Sequence, residues 1–287
     1  MTTPNLSTTI KPTWCPGCFN FQILAAFKNH LEKEIKKGKK KEDFAIVTGI
    51  GCHAKIFDYV NLNGINSLHG RALPTCLGMK VGNPKLNIFC FAGDGDAYSE
   101  GIEHLVHAAR YNVDMTFIVH NNQIFALTVG QPTAVTELGF IDKTNPKGVK
   151  NPPLNPIELM ISLRASFVAR VFADAKQIEE VLKEASKHKG FKFIEILQPC
   201  LIFHPDINYK NFAYQLKDKK HNPKDLNSAT KRAREFDYDK LTKKTKIPLG
   251  VFYIEKKPTF EEKIKVKGIF IPKKRLYVSM NKSLNTH

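Results

Sequence analysis

Acidic side chains are in short supply in this chain: its 287 residues hold 27 Asp and Glu against 44 Lys and Arg, a formal charge of +17. Long apolar runs are missing as well. No stretch approaches the ~18 apolar residues that a membrane-spanning helix needs, which argues against a helical membrane protein. Met1 to Thr13 lacks the apolar core of a secretory signal, so a cytoplasmic setting is expected. Internal repeats and low-complexity tracts are absent. Cysteine is scarce, with six in all: Cys15, Cys18, Cys52, Cys76, Cys90 and Cys200. In a reducing compartment structural disulfides are disfavoured, and metal or redox roles come forward.

The basic excess is uneven. Residues 206–287 hold 21 Lys and Arg against 9 Asp and Glu, and so carry +12 of the +17. One reading is a tail that binds nucleic acid. Against it, the basic residues are dispersed among acidic ones, no nucleic-acid motif occurs, and Tyr and Phe are not spaced as stacking platforms. A biased genome would enrich Lys without implying any partner. The expected division is an α/β domain over 1–205 and a basic C-terminal extension over 206–287, packing on that domain or on a partner.

Apolar periodicity gives the fold class. Residues 86–92 and 115–120 read as buried strands, with Ile102, Leu105, Val106 and Ala109 at helical spacing between them. Residues 44–47 read as another strand, and 168–172, 175–189 and 191–197 repeat strand, helix, strand. An amphipathic helix is expected over 21–37, a solvated Lys-rich connector over 32–43, and a long loop over 130–156, a length that is often functional. The sum is a doubly wound, mostly parallel α/β sheet.

Two motifs fall at carboxyl ends of neighbouring strands, where open α/β sheets bind ligands. Gly93-Asp94-Gly95 follows the first strand and Asn121-Asn122 ends the next. Glycines let the backbone turn tightly against an anion, while Asp94 and an Asn carbonyl offer hard oxygen ligands to Mg²⁺. Alone, a Gly-Asp-Gly is an ordinary strand-to-helix turn. The cysteines are open to three readings. Cys15-Pro16-Gly17-Cys18 after Trp14 has the look of a dithiol redox pair, but residues 10–13 make a poor preceding strand. Zinc would need two further ligands, such as Cys52 and His53. An iron–sulfur cluster would need four thiolates, and Cys52 and Cys200 both follow strand-like runs.

The segments Trp14-Cys15-Pro16-Gly17-Cys18, Gly49-Ile50-Gly51-Cys52, His69-Gly70-Arg71-Ala72, Gly93-Asp94-Gly95-Asp96, His104 to Arg110 and Gln198-Pro199-Cys200 resemble, in that order, the beta subunits of 2-oxoacid:ferredoxin oxidoreductases. The resemblance covers nearly the whole chain and implies a subunit that binds thiamine diphosphate, Mg²⁺ and one [4Fe-4S] cluster. It makes Cys15, Cys18, Cys52 and Cys200 the cluster ligands. Asp94, Asn122 and the Ile124 carbonyl become the Mg²⁺ ligands. His69, Gly70, Gly93, Gly95, Asp96 and Thr128 fall around the cofactor, and Lys55 at the active-site entrance. Cys76 and Cys90 match no ligand position. Arg71 is left undecided between a ligand contact and the surface. His53, His104, His107 and His120 read as polar fillers.

Further expectations follow from the resemblance. The reaction would be oxidative decarboxylation of a 2-oxoacid, the acyl group passing to coenzyme A and electrons to ferredoxin. A basic face would speed the encounter with an acidic ferredoxin. No Glu fits the position that activates the cofactor, which assigns that group to an alpha (or alpha/gamma) subunit. One departure stands out: Phe125-Ala126 replaces a common Tyr-Gly, and Val129 offers no cation to a second substrate carboxylate, so a pyruvate-like substrate is expected. The competing classes are a cluster-free thiamine-dependent decarboxylase and a non-enzymatic zinc or nucleic-acid-binding protein.

Overall fold

The computed structural model describes residues 5–205, 207 and 209–265. Its sheet forms where apolar, β-branched and aromatic residues run without a break. The first half of the chain gives β1 (Phe44–Thr48), β2 (Asn63–Asn66), β3 (Asn87–Gly93) and β4 (Met115–Asn121), followed by the short β5 (Ile124–Phe125) and β6 (Gln131–Pro132). The second half gives β7 (Phe167–Phe172), β8 (Phe191–Leu197), β9 (Ala213–Gln215) and β10 (Ile247–Ile254). Eight strands make one sheet in the order β2-β1-β3-β4-β8-β7-β10-β9, and β5 pairs with β6 apart from it. Pairing is parallel throughout the large sheet except between β7 and β10. The central strands β4, β7 and β8 are buried along their whole length, as strands covered on both faces must be.

Helices cover both faces. On one lie α1 (Asn20–Lys36), the short α2 (Ile56–Tyr59) and α6 (Ala175–Ala185), closing a core around Phe27, Leu31, Phe89, Phe91 and Ile194. On the other lie α3 (Ala72–Gly82), α4 (Ile102–Tyr111), α5 (Pro156–Ser162) and α7 (Leu226–Ala233), over Cys90, Phe117, Phe193 and Phe252. The doubly wound architecture is therefore as the periodicity predicts. Asp174 caps α6 by accepting from Gln177 N, and Asn155 caps α5 ahead of Pro156, each supplying a partner to a helix-end N–H.

Two readings change. Glu34, placed by the sequence in a solvated connector, is buried and held by Lys37 at 2.6 Å and Lys39 at 2.8 Å. The segment after 205 is also more than a tail: β10 adds antiparallel to β7, and β9 follows it in the same sheet. The short α8 (Phe260–Lys263) then returns to α4, Tyr111 stacking on Phe260 at 5.4 Å. Residues 266–287 of the expected extension lie outside the described residues. No helix among the described residues is long and apolar enough to cross a membrane.

What positions the site is the strand order. The chain leaves β1 toward β2 on one side and returns to β3 on the other, so the turns after β1 and β3 diverge and open a crevice at their carboxyl ends.

Candidate active site

After β3 the chain enters a π-helical turn over Gly95–Ser99. Asp94 begins it, almost wholly buried. One carboxylate oxygen accepts from Asn122 N at 3.3 Å and the other from the Thr133 hydroxyl at 2.6 Å. Burial pushes Asp94 up to about 7, and its surroundings are hydroxyl, amide and the like-charged Glu195. A buried carboxylate so placed lacks a cation. Asn122 stands against it, its Oδ1 accepting from Ile124 N at 3.2 Å. Gln123 between them takes φ +61 and is fixed by bonds to Val135 O and Tyr238 O. A carboxylate and an amide oxygen suit Mg²⁺, which commonly takes one or two protein side chains and completes its shell from phosphate and water.

Asp96 organises the other wall. Its Oδ1 accepts from Gly70 N at 2.7 Å and Ile50 N at 3.3 Å, with His69 Nδ1 at 3.2 Å; His53 Nε2 lies 3.3 Å from Oδ2. The carboxylate thus binds three segments of the chain to one another. Glycine is required here on steric grounds. A Cβ at Gly49 would fall 1.8 Å from the Asp96 carboxylate, and one at Gly95 2.2 Å from the Phe125 ring. Gly70 takes φ +68 with the Glu100 carbonyl where its Cβ would be.

His53, His69, Gly93, Asp94, Gly95, Asp96, Asn122, Ile124 and Thr128 all line this cleft, as do Asn20, His120 and Gln198. Six buried polar atoms on it have no hydrogen-bond partner: Asn20 Nδ2, His53 Nε2, His69 Nδ1, Asp96 Oδ2, His120 Nε2 and Gln198 Oε1. Buried polar groups are normally satisfied, and the unpaired His53 Nε2, His69 Nδ1 and Asp96 Oδ2 on the Asp96 wall suit a polar occupant. Burial, with His53 beside it, holds His120 well below the ordinary imidazole range. Thr128 is exposed, its hydroxyl donating to Gln131 Oε1 at 2.5 Å.

The cysteines stand next door. Cys18 N donates to Cys15 O at 3.0 Å across Pro16-Gly17, and Trp14 Nε1 donates to Cys52 O at 2.7 Å, joining the amino-terminal turn to the one after β1. Cys15, Cys18, Cys52 and Cys200 line one pocket together with Lys55, whose Nζ donates to Thr13 Oγ1 at 3.1 Å. Burial pushes the Cys18 thiol up and that of Cys52 to about 11, and the other cysteines of the group push the same way. The four sulfurs share one pocket, as ligands of a common centre would. Among the described residues, no three His, Cys, Asp or Glu side chains close around a single ion, as zinc would need. An iron–sulfur cluster, in which each of four thiolates binds its own iron, is a group that this set of sulfurs could hold. Cys76 on α3 and Cys90 on β3 are buried in the core.

Arg71 turns away from the cleft to Glu103, at 3.1 Å, and to His104. The sequence alone reads His53 and His120 as fillers and does not single out Asn20, Gln198 or Thr133. The signal it does carry is proximity: Asn20 and Gln198 each lie two residues from a motif cysteine, and His53 is next to one.

Comparison with known proteins identifies the family. The family described as "Thiamine pyrophosphate enzyme, C-terminal TPP binding domain" matches residues 49–196, and the C-terminal family of the pyruvate ferredoxin oxidoreductase beta subunit matches 207–267. The chain is 39% identical over 263 residues to a 2-oxoacid:ferredoxin oxidoreductase subunit beta from Saccharolobus solfataricus, covering 88% of this chain and 85% of that one. It is 38% identical over 197 residues to a 2-oxoglutarate synthase subunit KorB from Archaeoglobus fulgidus, covering 68% and 72%. A solved 2-oxoglutarate:ferredoxin oxidoreductase from Magnetococcus marinus superposes with a TM-score of 0.84 at 31% identity, covering 91% of this chain and 87% of that one.

Proposed function

This chain belongs to the family of 2-oxoacid:ferredoxin oxidoreductase beta subunits, and we propose that it forms the half of the active site that carries both cofactors. It is a thiamine-dependent enzyme subunit. The observation that supports the two-cofactor reading is a shared wall: Asn20, Cys52, Asn122, Ala126, Leu127 and Gln198 line both the cleft and the cysteine pocket. Asp94 and Asn122 would hold Mg²⁺ by side-chain oxygens and Ile124 by its carbonyl. His69, Gly70, Gly93, Gly95, Asp96 and Thr128 would surround the diphosphate, and Cys15, Cys18, Cys52 and Cys200 would hold a [4Fe-4S] cluster. Residues 1–205 would thus carry the cofactors, with 206–287 extending the sheet or meeting a partner.

Bound thiamine diphosphate supplies the electron sink for loss of CO₂, and the cluster takes electrons singly. The chain's own part is positioning. Asp96 fixes the cleft wall, Gln123 fixes the turn bearing Asn122, and Lys55, tethered by Thr13, would meet the substrate carboxylate. Coenzyme A would receive the acyl group and ferredoxin the electrons, in the cytoplasm. Exposed apolar side chains gather on loops at this end, among them Ile50, Leu68, Leu127, Val129, Leu201 and Ile202. Such a face suits an alpha (or alpha/gamma) subunit.

Val129, exposed and lining the cysteine pocket beside the cleft, favours a pyruvate-like 2-oxoacid. Relatives named for 2-oxoglutarate supply the second reading. The test is anaerobic purification of the complex, iron and sulfide assay, and a panel of pyruvate, 2-oxobutyrate and 2-oxoglutarate with a viologen acceptor. Brown protein that loses its cluster but keeps thiamine diphosphate on Cys200→Ser is expected. Protein without iron and sulfide would defeat the cluster assignment, and turnover faster with 2-oxoglutarate would defeat the substrate assignment.

A further inference from the structure

We propose that Gln198 is the hydrogen-bond donor that sets the redox poise of the cluster, acting on the sulfur of Cys18 from an orientation fixed by His120 and Asn20. The proposal rests on the reading of Cys18 as a cluster ligand. Gln198 is buried, directly after β8, and its backbone N–H donates to Asn121 O at 2.7 Å. Its Nε2 stands 3.8 Å from Cys18 Sγ, in reach of an N–H···S bond. Its Oε1 is buried without a hydrogen-bond partner, as is Nε2 of His120 on the same cleft wall.

The two ends of the amide are distinguished by what they meet. Turned round, the carbonyl oxygen would oppose a thiolate, setting two acceptors against each other. With nitrogen toward Cys18, Oε1 needs a donor, and the one in place is His120 Nε2–H. A neutral imidazole protonated at Nε2 has its lone pair on Nδ1. That atom lies 2.8 Å from the Asn20 amide and must accept from it, so Asn20 presents Nδ2 rather than Oδ1. This single assignment gives partners to His120 Nε2 and Gln198 Oε1, which otherwise lack one, and passes the contact of Asn20 Oδ1 with His120 to Nδ2. Donation then runs one way, from Asn20 to His120 to Gln198 to Cys18.

A donor on a ligand sulfur stabilises the more negative, reduced cluster more than the oxidised one, and so raises its potential. The measurement is an anaerobic redox titration of the purified complex, followed by electron paramagnetic resonance, with iron, sulfide and thermal unfolding determined on each sample. Gln198→Met, of similar size and without a donor, is expected to keep its cluster and titrate at a more negative potential than the unsubstituted complex. Gln198→Glu, which puts an acceptor in the donor's place, is expected to move further the same way and supplies the reading if Gln198→Met loses iron. A cluster-loaded variant with an unchanged or more positive potential overturns the proposal. Unsubstituted protein free of iron and sulfide overturns the cluster reading beneath it, a failure visible before any variant is titrated.

Discussion

Arg170 on β7 and Glu195 on β8 are fully buried, with Arg170 Nε donating to Glu195 Oε2 at 2.9 Å. The guanidinium lies 4.9 to 5.4 Å from the rings of Tyr238, Phe252 and Phe236, all from the segment after 205. Glu195 Oε1 accepts from Asn121 Nδ2 at 2.8 Å and the Tyr98 hydroxyl at 3.2 Å, and the Tyr238 hydroxyl donates to Oε2. Arg170→Met would keep much of the volume but leave a carboxylate buried without its cation. Breaking one side of a buried pair costs about 3–5 kcal/mol. Spread over an unfolding entropy of about 2 cal/mol/K per residue, that is a fall of roughly 7 °C in melting temperature. Urea unfolding of Arg170→Met, Glu195→Gln and the double variant forms a cycle. The double variant should cost far less than the sum of the singles, because it removes both charges, with a coupling of about 2 kcal/mol or more. Additivity within about 0.5 kcal/mol would refute the reasoning and reduce the pair to bystanders in the sheet.

Acid should loosen the opposite end of the sheet. Burial pushes His30, packed 5.8 Å from the Phe89 ring, down to about 4. The unfolded chain therefore takes up the proton first, so stability is complete above the ordinary value near pH 6.5 and is lost as pH falls toward 4. The loss at pH 5 is about 2 kcal/mol, read from urea unfolding at pH 7.5 and 5.0; His30→Gln should flatten the difference, and an unaltered pH dependence would exclude His30 as its source. In the cleft, Gly49→Ala drives a Cβ into a carboxylate held by Gly70 N. It should weaken Mg²⁺-dependent thiamine diphosphate binding at least tenfold in fluorescence-quenching titrations, whereas native affinity would mean that Asp96 yields freely.

The parts legible in the sequence were those whose signal is local. β1, β3, β4, β7 and β8 announce themselves as apolar runs, and the oxygen-bearing turn at Asp94 as a motif placed between two of them. β2 is exposed along its length, so no apolar pattern marks it. β10 carries Pro248 and Gly250 inside a run whose neighbours are basic, which masks its membership of the sheet. Arg170 and Glu195 sit in strands that read as apolar, and nothing in either strand shows that each charge has the other as partner. The same limit hid His53 and His120, whose roles come from what faces them across the cleft.

The placement of the two sites beside each other follows from chain geometry rather than from packing alone. Three separate segments each contribute to both. The amino-terminal turn gives Cys18 to the pocket and Asn20 to the cleft; the turn after β1 gives Cys52 and His53; the turn after β8 gives Cys200 and Gln198. In every case the two residues are no more than two apart, and a fully extended chain spans only about 3.5 Å per residue. Along each of the three segments the paired residues therefore stay within about 7 Å of each other. Asn121 adds a tie from below, since it holds Gln198 N through its carbonyl and Glu195 through its amide. A substitution that shifts Glu195 should thus move the corner at Asn122 and the base of the cysteine pocket together. That shared displacement is what the Arg170 cycle would reveal as a loss of cofactor binding larger than its effect on stability.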